Sequence, residues 1–297
     1  MLDRASCFSN LEVIGLLQTR FIPVAIDQAY QRRQQDAEGR FYQKIANQSP
    51  RKIGQGTTQG HYVAAPDGES LGYNNNRDPQ RVIRLLQEAL ENYTPSETAI
   101  IEKGDPDPRY SPQPPEGGLV VRVRSKVLGG YAPTSNPWER MFQEGIGRDN
   151  LWIRADEHAA LAKGEFPDSL IQRIARFHLV DNTRGEPPMW RANEIRKSDV
   201  SFVKGQARIE GTTHLQTANG QRSFQADWFG FIEVEDGRVT RFDLVVKGQF
   251  RGEGQYTRRA PDGEFPLAIT FELADGGETA DAIPPQGSRG WIDGYLR

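Results

Sequence analysis

Apolar positions first recur at helical spacing near the N-terminus. Leu11, Ile14 and Leu17 follow Ser9-Asn10, a pair suited to cap a short helix. Residues 21–26 (FIPVAI) are a β-rich run ending at Asp27 and predict a short buried strand. Pro23 suits an edge or bulged position there. Residues 34–47 predict a helix, with Ala37, Phe41 and Ile45 spaced by four. Residues 57–64 and 70–73 read as two strands joined by the turn Pro66-Asp67-Gly68, which makes a hairpin. Asp78 as cap and Pro79 in the first turn then open a helix, with Val82, Leu86, Ala89, Leu90 and Tyr93 along its apolar face.

The pattern breaks at residues 94–118. The stretch KGDPDPRYSPQPPEGG is rich in proline and glycine without an apolar period, a composition that favours an extended linker. Beyond it, residues 119–128 alternate as a strand and residues 151–154 suggest another. Residues 156–163 and 167–178 read as helices, the second with Leu170, Ile174 and Phe177 on one face. Residues 200–250 hold three alternating runs. The first puts Val203, Ala207, Ile209, Thr213 and Leu215 on one face, the second Phe224, Ala226, Trp228, Ile232 and Val234, and the third Phe242, Leu244, Val246 and Phe250. Asn219-Gly220 and Asp236-Gly237 are hairpin turns between them. Residues 267–273 add a further strand. The expectation for residues 119–297 is an α+β domain with a curved antiparallel meander.

Composition narrows the function classes. The chain has 297 residues, 36% of them apolar, and a net charge of −3 without asymmetry between its halves. Its mean hydropathy is −0.67. No basic excess suggests nucleic acid as a partner. No apolar run approaches the ~18 residues of a membrane span, and no signal-peptide core follows Met1. As written the chain reads as cytoplasmic, with any upstream signal beyond view. A single cysteine, Cys7, excludes an intrachain disulfide and a cysteine-rich zinc site.

Two segments carry a family resemblance. Residues 7–27, CFSNLEVIGLLQTRFIPVAID, and residues 57–90, TTQGHYVAAPDGESLGYNNNRDPQRVIRLLQEAL, together resemble thioredoxin-like proteins, in the right order and spacing. The resemblance covers residues 3–93. It implies an α/β thioredoxin-like N-terminal domain, incomplete here, of thiol–disulfide oxidoreductase descent, with a protein thiol or disulfide as partner and no cofactor. Two departures matter. The redox Cys-x-x-Cys expected just before the first helix is absent, and Thr57-Thr58-Gln59 stands where the family has a proline before the hairpin. The strand preceding the active site, central in such sheets, is missing too, so either another segment supplies it or it lies upstream of Met1. Dithiol exchange needs a second thiol.

Three readings stay open. The motif lies upstream, as Cys-x-x-Cys or as Cys-x-x-selenocysteine whose codon was read as a stop. Alternatively the motif is lost, and the protein is a non-catalytic docking module whose C-terminal sheet binds a ligand or a protein. The least supported is an enzyme sited on the meander or in the loop after residue 177.

Candidate chemistry follows from these readings. Cys7 serves as a thiol only if activated, and otherwise is a small buried apolar residue. His61 lies near the place of a thioredoxin active site and suits contact with a partner thiol. None of the four histidines, His61, His158, His178 and His214, stands in a metal-binding spacing, and no metal site is expected from them. The second face of the meander carries His214, Asp227, Arg241 and Asp243, which line a ligand cavity if the sheet curls and a solvated face if it does not. The loop FHLVDNTRGEPPMWR offers Asp181 and Arg184 as ligand-binding candidates, against a plain structured crossover. The ending, residues 284–297, reads as a tail docked on a domain.

Overall fold

The computed structural model describes residues 2–95 and 104–297. The chain divides into two compact units, one of Asp3–Pro112 with Arg289–Trp291 and one built on Gln113–Ser288 with Ile292–Arg297. The linker expected over 94–118 falls partly on residues 96–103, outside the described residues.

In the smaller unit, two 3-10 turns (Leu2–Ala5 and Cys7–Ser9) lead into α1 (Leu11–Arg20). Asn10 caps α1, its side chain accepting from the amides of Glu12 and Val13. A single turn α2 (Gln28–Gln31) precedes α3 (Ala37–Asn47), the hairpin β1 (His61–Ala64) and β2 (Ser70–Asn74), and α4 (Pro79–Asn92). The side chain of Asp78 caps α4 through the Gln80 amide, with Pro79 in the first turn as its locked φ favours.

The hairpin is covered on both faces. Val63 joins Cys7, Val13, Val82, Ile83, Leu86 and Ala89 in one apolar cluster, so one face meets α1 and α4. Tyr62 points the other way and meets Tyr42 of α3 edge-on, at 6.0 Å between ring centres. Gly72 permits the close approach of α4, since a Cβ there would stand 2.5 Å from Leu85 Cδ1.

Several expectations for this unit are corrected. Residues 21–27 form no strand. Ile22 is 91% and Val24 75% exposed, and among the described residues no strand pairs with them. An isolated β-rich run has nothing to hydrogen-bond to, so propensity alone does not make it a strand. On α1 the buried residue is Val13, with Leu16 and Leu17 against the cluster, while Leu11 lies in solvent. On α3 the buried stripe is Gly39, Tyr42 and Ala46, one position along from the expected one, because the tyrosine packs on the hairpin.

The larger unit is a seven-stranded antiparallel sheet of order β4-β3-β9-β8-β7-β6-β5. Its strands are β3 (Leu119–Val127), β4 (Ile146–Ile153), β5 (Ile195–Phe202), β6 (Arg208–Gln216), β7 (Ser223–Glu235), β8 (Arg238–Arg251) and β9 (Glu264–Leu273). Strands β5 to β9 form the meander, whose last strand pairs with β3 of the β3–β4 hairpin. The helices are α5 (Pro137–Glu144), α6 (Ala155–Leu161), α7 (Asp168–Phe177) and α8 (Ile292–Leu296).

One sheet face is apolar by strict alternation. Ile209 and Leu215, Phe224 and Trp228, Phe242 and Val246, and Phe265 and Ile269 are buried together with Leu170, Ile171 and Ile174 of α7. Val234 leaves this face and is 38% exposed, because the β7–β8 register shifts between Glu233 and Val234. Trp228 Nε1 donates to Thr213 Oγ1 at 2.7 Å, so the core indole carries no orphaned donor.

A sealed ion pair fastens the helices. Arg173 donates to both Glu157 oxygens, at 2.5 and 2.9 Å, and Ser169 Oγ adds a third bond at 2.6 Å. The same guanidinium donates to the carbonyls of Tyr295 and Leu296, which caps α8. The C-terminal segment is thus docked on its domain, with Tyr295 1% exposed.

Two outcomes follow. Replacing Thr213 by Val strands the buried indole N–H and lowers unfolding free energy by about 1–3 kcal/mol, measurable by denaturant titration with tryptophan fluorescence. Glu157→Gln leaves Arg173 without its counter-charge and costs about 3–5 kcal/mol. Burial pushes the Glu157 carboxyl up, but bonds from Arg173, Ser169 and the Arg154 amide hold it below its ordinary 4.5. Its contribution is therefore complete above about pH 4.5 and is lost as pH falls below it, so stability measured against pH has a shallower acid slope in Glu157→Gln.

Candidate functional site

Asp3, Cys7 and His61 converge in the smaller unit. The first two lie on the consecutive N-terminal 3-10 turns, where the Cys7 thiol donates to the Asp3 carbonyl at 3.7 Å. Cys7 is fully buried in the cluster beneath α1 and α4. His61 opens β1 on the same hairpin face as Val63. Gly60 before it lets the Tyr73 ring approach the backbone, since a Cβ there would stand 2.3 Å from that ring. Tyr73 in turn donates its hydroxyl to Gln59 O at 2.8 Å.

The ligand-type atoms of these three residues all lie within 4.8 Å of one another. His61 Nε2 is 3.8 Å from Asp3 Oδ1, and Arg77 Nε approaches the same oxygen at 3.3 Å. The Phe8 ring meets the imidazole edge-on at 5.2 Å. His61 Nδ1 is buried and has no hydrogen-bond partner.

Burial keeps the Cys7 thiol and the His61 imidazole in their neutral forms. Burial, with help from the Asp3 carboxylate, raises the Cys7 thiol above its ordinary 9.0, so near neutral pH it is a thiol and a poor nucleophile. Burial also holds the His61 imidazole below 6.5, Arg77 acting the same way and Asp3 opposing. Neutral imidazole, thiol and carboxylate form a donor set for a cation rather than an activated cysteine–histidine pair.

The other expected residues lie apart. His214, Asp227, Arg241 and Asp243 stand on the outer face of the β6–β8 sheet, where Arg241 pairs with Asp243 at 2.5 Å and Glu233 at 2.7 Å. Asp181 and Arg184 are both buried and bonded to each other at 2.5 Å, and Arg184 also donates to the Tyr131 hydroxyl. The void beside Asp181 and Arg222 has about 10 Å³, the room of one water.

An open cleft of about 580 Å³ lies between residues 117–119, α6 and the turn at Gly237. Both nitrogens of its histidine, His158, are engaged, Nδ1 with Gly117 O and Nε2 by the Val239 amide. His214, Asp227, Arg241 and Asp243 line neither cavity.

A second polar array is sealed within the larger unit. His178 Nε2 lies 2.6 Å from the Tyr295 hydroxyl, and Asp149 Oδ2 lies 3.1 Å from Nδ1, off the line of a hydrogen bond. With side-chain exposures of 0% for His178 and 5% for Asp149, it is closed to substrate and serves to pin α8.

Sequence reasoning singled out Cys7 and His61 but passed over Asp3 and Arg77. Asp3 stands only four positions before Cys7, but the turns between them are 3-10 rather than α, so the spacing itself puts them on no common face. Arg77 reaches Asp3 only through the fold. Asp3→Asn removes a charge that raises the thiol, so the ultraviolet thiolate absorbance of Cys7 appears at lower pH in this variant than in the parent.

Against known proteins, no family model, no curated protein and no solved structure matches this chain.

Proposed function

We propose that residues 3–93 are a thioredoxin-like module of thiol–disulfide oxidoreductase descent that, with one cysteine, acts by binding a partner rather than by dithiol exchange. The supporting observation is the order and sidedness of the elements. Helix α1, the non-strand segment 21–27, the single turn α2, helix α3, the hairpin and α4 follow in turn, with α1 and α4 on one hairpin face and α3 on the other. Helices on both faces are what an α/β layer requires. Buried Cys7, raised above its ordinary value by that burial, argues against exchange chemistry within these residues.

A second reading places a redox motif, and the strand that would neighbour residues 21–27, on sequence outside residues 1–297. The exposed Ile22 and Val24, without a strand partner among the described residues, favour it.

Insulin-disulfide reduction tests both. The chain as given is expected to leave the dithiothreitol-driven rate unchanged, and a Cys7-dependent acceleration, lost in Cys7→Ser, overturns the binding reading. Protein isolated from its natural source with a mass above 33.4 kDa, and with insulin reductase activity, selects the second reading.

A further inference from the structure

We propose that Asp3, Cys7 and His61 bind one divalent transition metal, zinc by preference, through a carboxylate oxygen, Sγ and one imidazole nitrogen. This assignment stands on the cluster itself and does not depend on a thioredoxin-like ancestry.

The geometry is close to what the ion demands. Zinc bonds of about 2.0 Å to nitrogen and oxygen and about 2.3 Å to sulfur set tetrahedral ligands roughly 3.2–3.7 Å apart. Asp3 and His61 already stand at 3.8 Å, and no pair of ligand atoms exceeds 4.8 Å. Closure therefore takes about 1 Å at the widest pair, a movement that side-chain rotation on the short N-terminal turns supplies.

The donor set decides the metal. One thiolate, one imidazole and one carboxylate suit a borderline ion. Magnesium and calcium seek oxygen-only shells, and copper(I) seeks sulfur-rich ones. Three protein ligands leave a fourth position for water, the pattern of open zinc sites. The side chains of Asp3 and His61 are 28% and 20% exposed, so that position has a route to solvent.

Charge also balances. On binding, the Cys7 proton leaves to solvent, and carboxylate and thiolate together neutralise the dication. Arg77 remains beside Asp3 as an outer partner that orients the carboxylate. His61 Nδ1 is buried without a hydrogen bond, and a metal bound there satisfies that orphaned nitrogen.

Cobalt titration of the full reduced chain at neutral pH is the test. The expected result is one equivalent bound with a sulfur-to-cobalt charge-transfer band, displaced by zinc. Cys7→Ser abolishes the band. Asp3→Asn and His61→Ala each weaken binding by at least ~tenfold, while His214→Ala on the outer sheet changes nothing. Should Cys7→Ser fail to fold, the unmutated chain still gives an answer, because the sulfur-to-cobalt band and its displacement by one equivalent of zinc are read on it directly. Absence of stoichiometric binding at micromolar metal, absence of the sulfur-to-cobalt band, or binding indifferent to both Asp3→Asn and His61→Ala overturns the proposal.

Discussion

The Glu157–Arg173 ion pair is the point on which the larger unit turns. Both side chains are withdrawn from water, with exposures of 1% and 0%. Each charge would be very costly there alone. Their bonds are therefore obligatory, and they tie three helices together. Glu157 lies on α6 and accepts from the Arg154 amide, which starts that helix. Arg173 lies on α7 and reaches the carbonyls of α8. The apolar face of the sheet supplies the bulk of the stabilisation, but it is indifferent to direction. The ion pair gives the helices one arrangement over that face.

The smaller unit works by a different constraint. Its two strands offer little surface, and a lone hairpin is marginal in water. Covering both faces, with Val63 toward α1 and α4 and Tyr62 toward α3, supplies the missing burial. The same two-sided packing brings the N-terminal turns against the start of β1. Asp3, Cys7 and His61 meet as a consequence of how the hairpin is buried. Apolar surrounding then keeps the thiol and imidazole uncharged, so the site suits a cation ligand set better than a nucleophile.

The outer face of the large sheet shows the opposite balance. His214, Asp227, Arg241 and Asp243 alternate with the core residues, as antiparallel strands with one wet face require. Arg241 is shared between Glu233 across the strand pair and Asp243 on its own strand, an arrangement that suits a solvated surface. The Asp181–Arg184 loop is polar in sequence yet buried in the fold, because each charge finds the other three positions away.

What the sequence determined alone is the set of local structures whose signals lie within a few residues. Asn10, Asp78 and Pro79 mark helix starts, Asp236-Gly237 marks a turn, and alternation over residues 208–250 marks strands and their buried face. It also brought Cys7 and His61 forward as candidates. The buried stripe of α3, the failure of residues 21–27 to become a strand, and the meeting of Asp3 and Arg77 with that pair were decided by tertiary structure. Each depends on a partner remote in sequence: Tyr42 needs the hairpin, a strand needs a neighbour to hydrogen-bond, and Arg77 reaches Asp3 only when α4 closes on the N-terminal turns. Propensity and pattern act along the chain, whereas burial and ion pairing act across space.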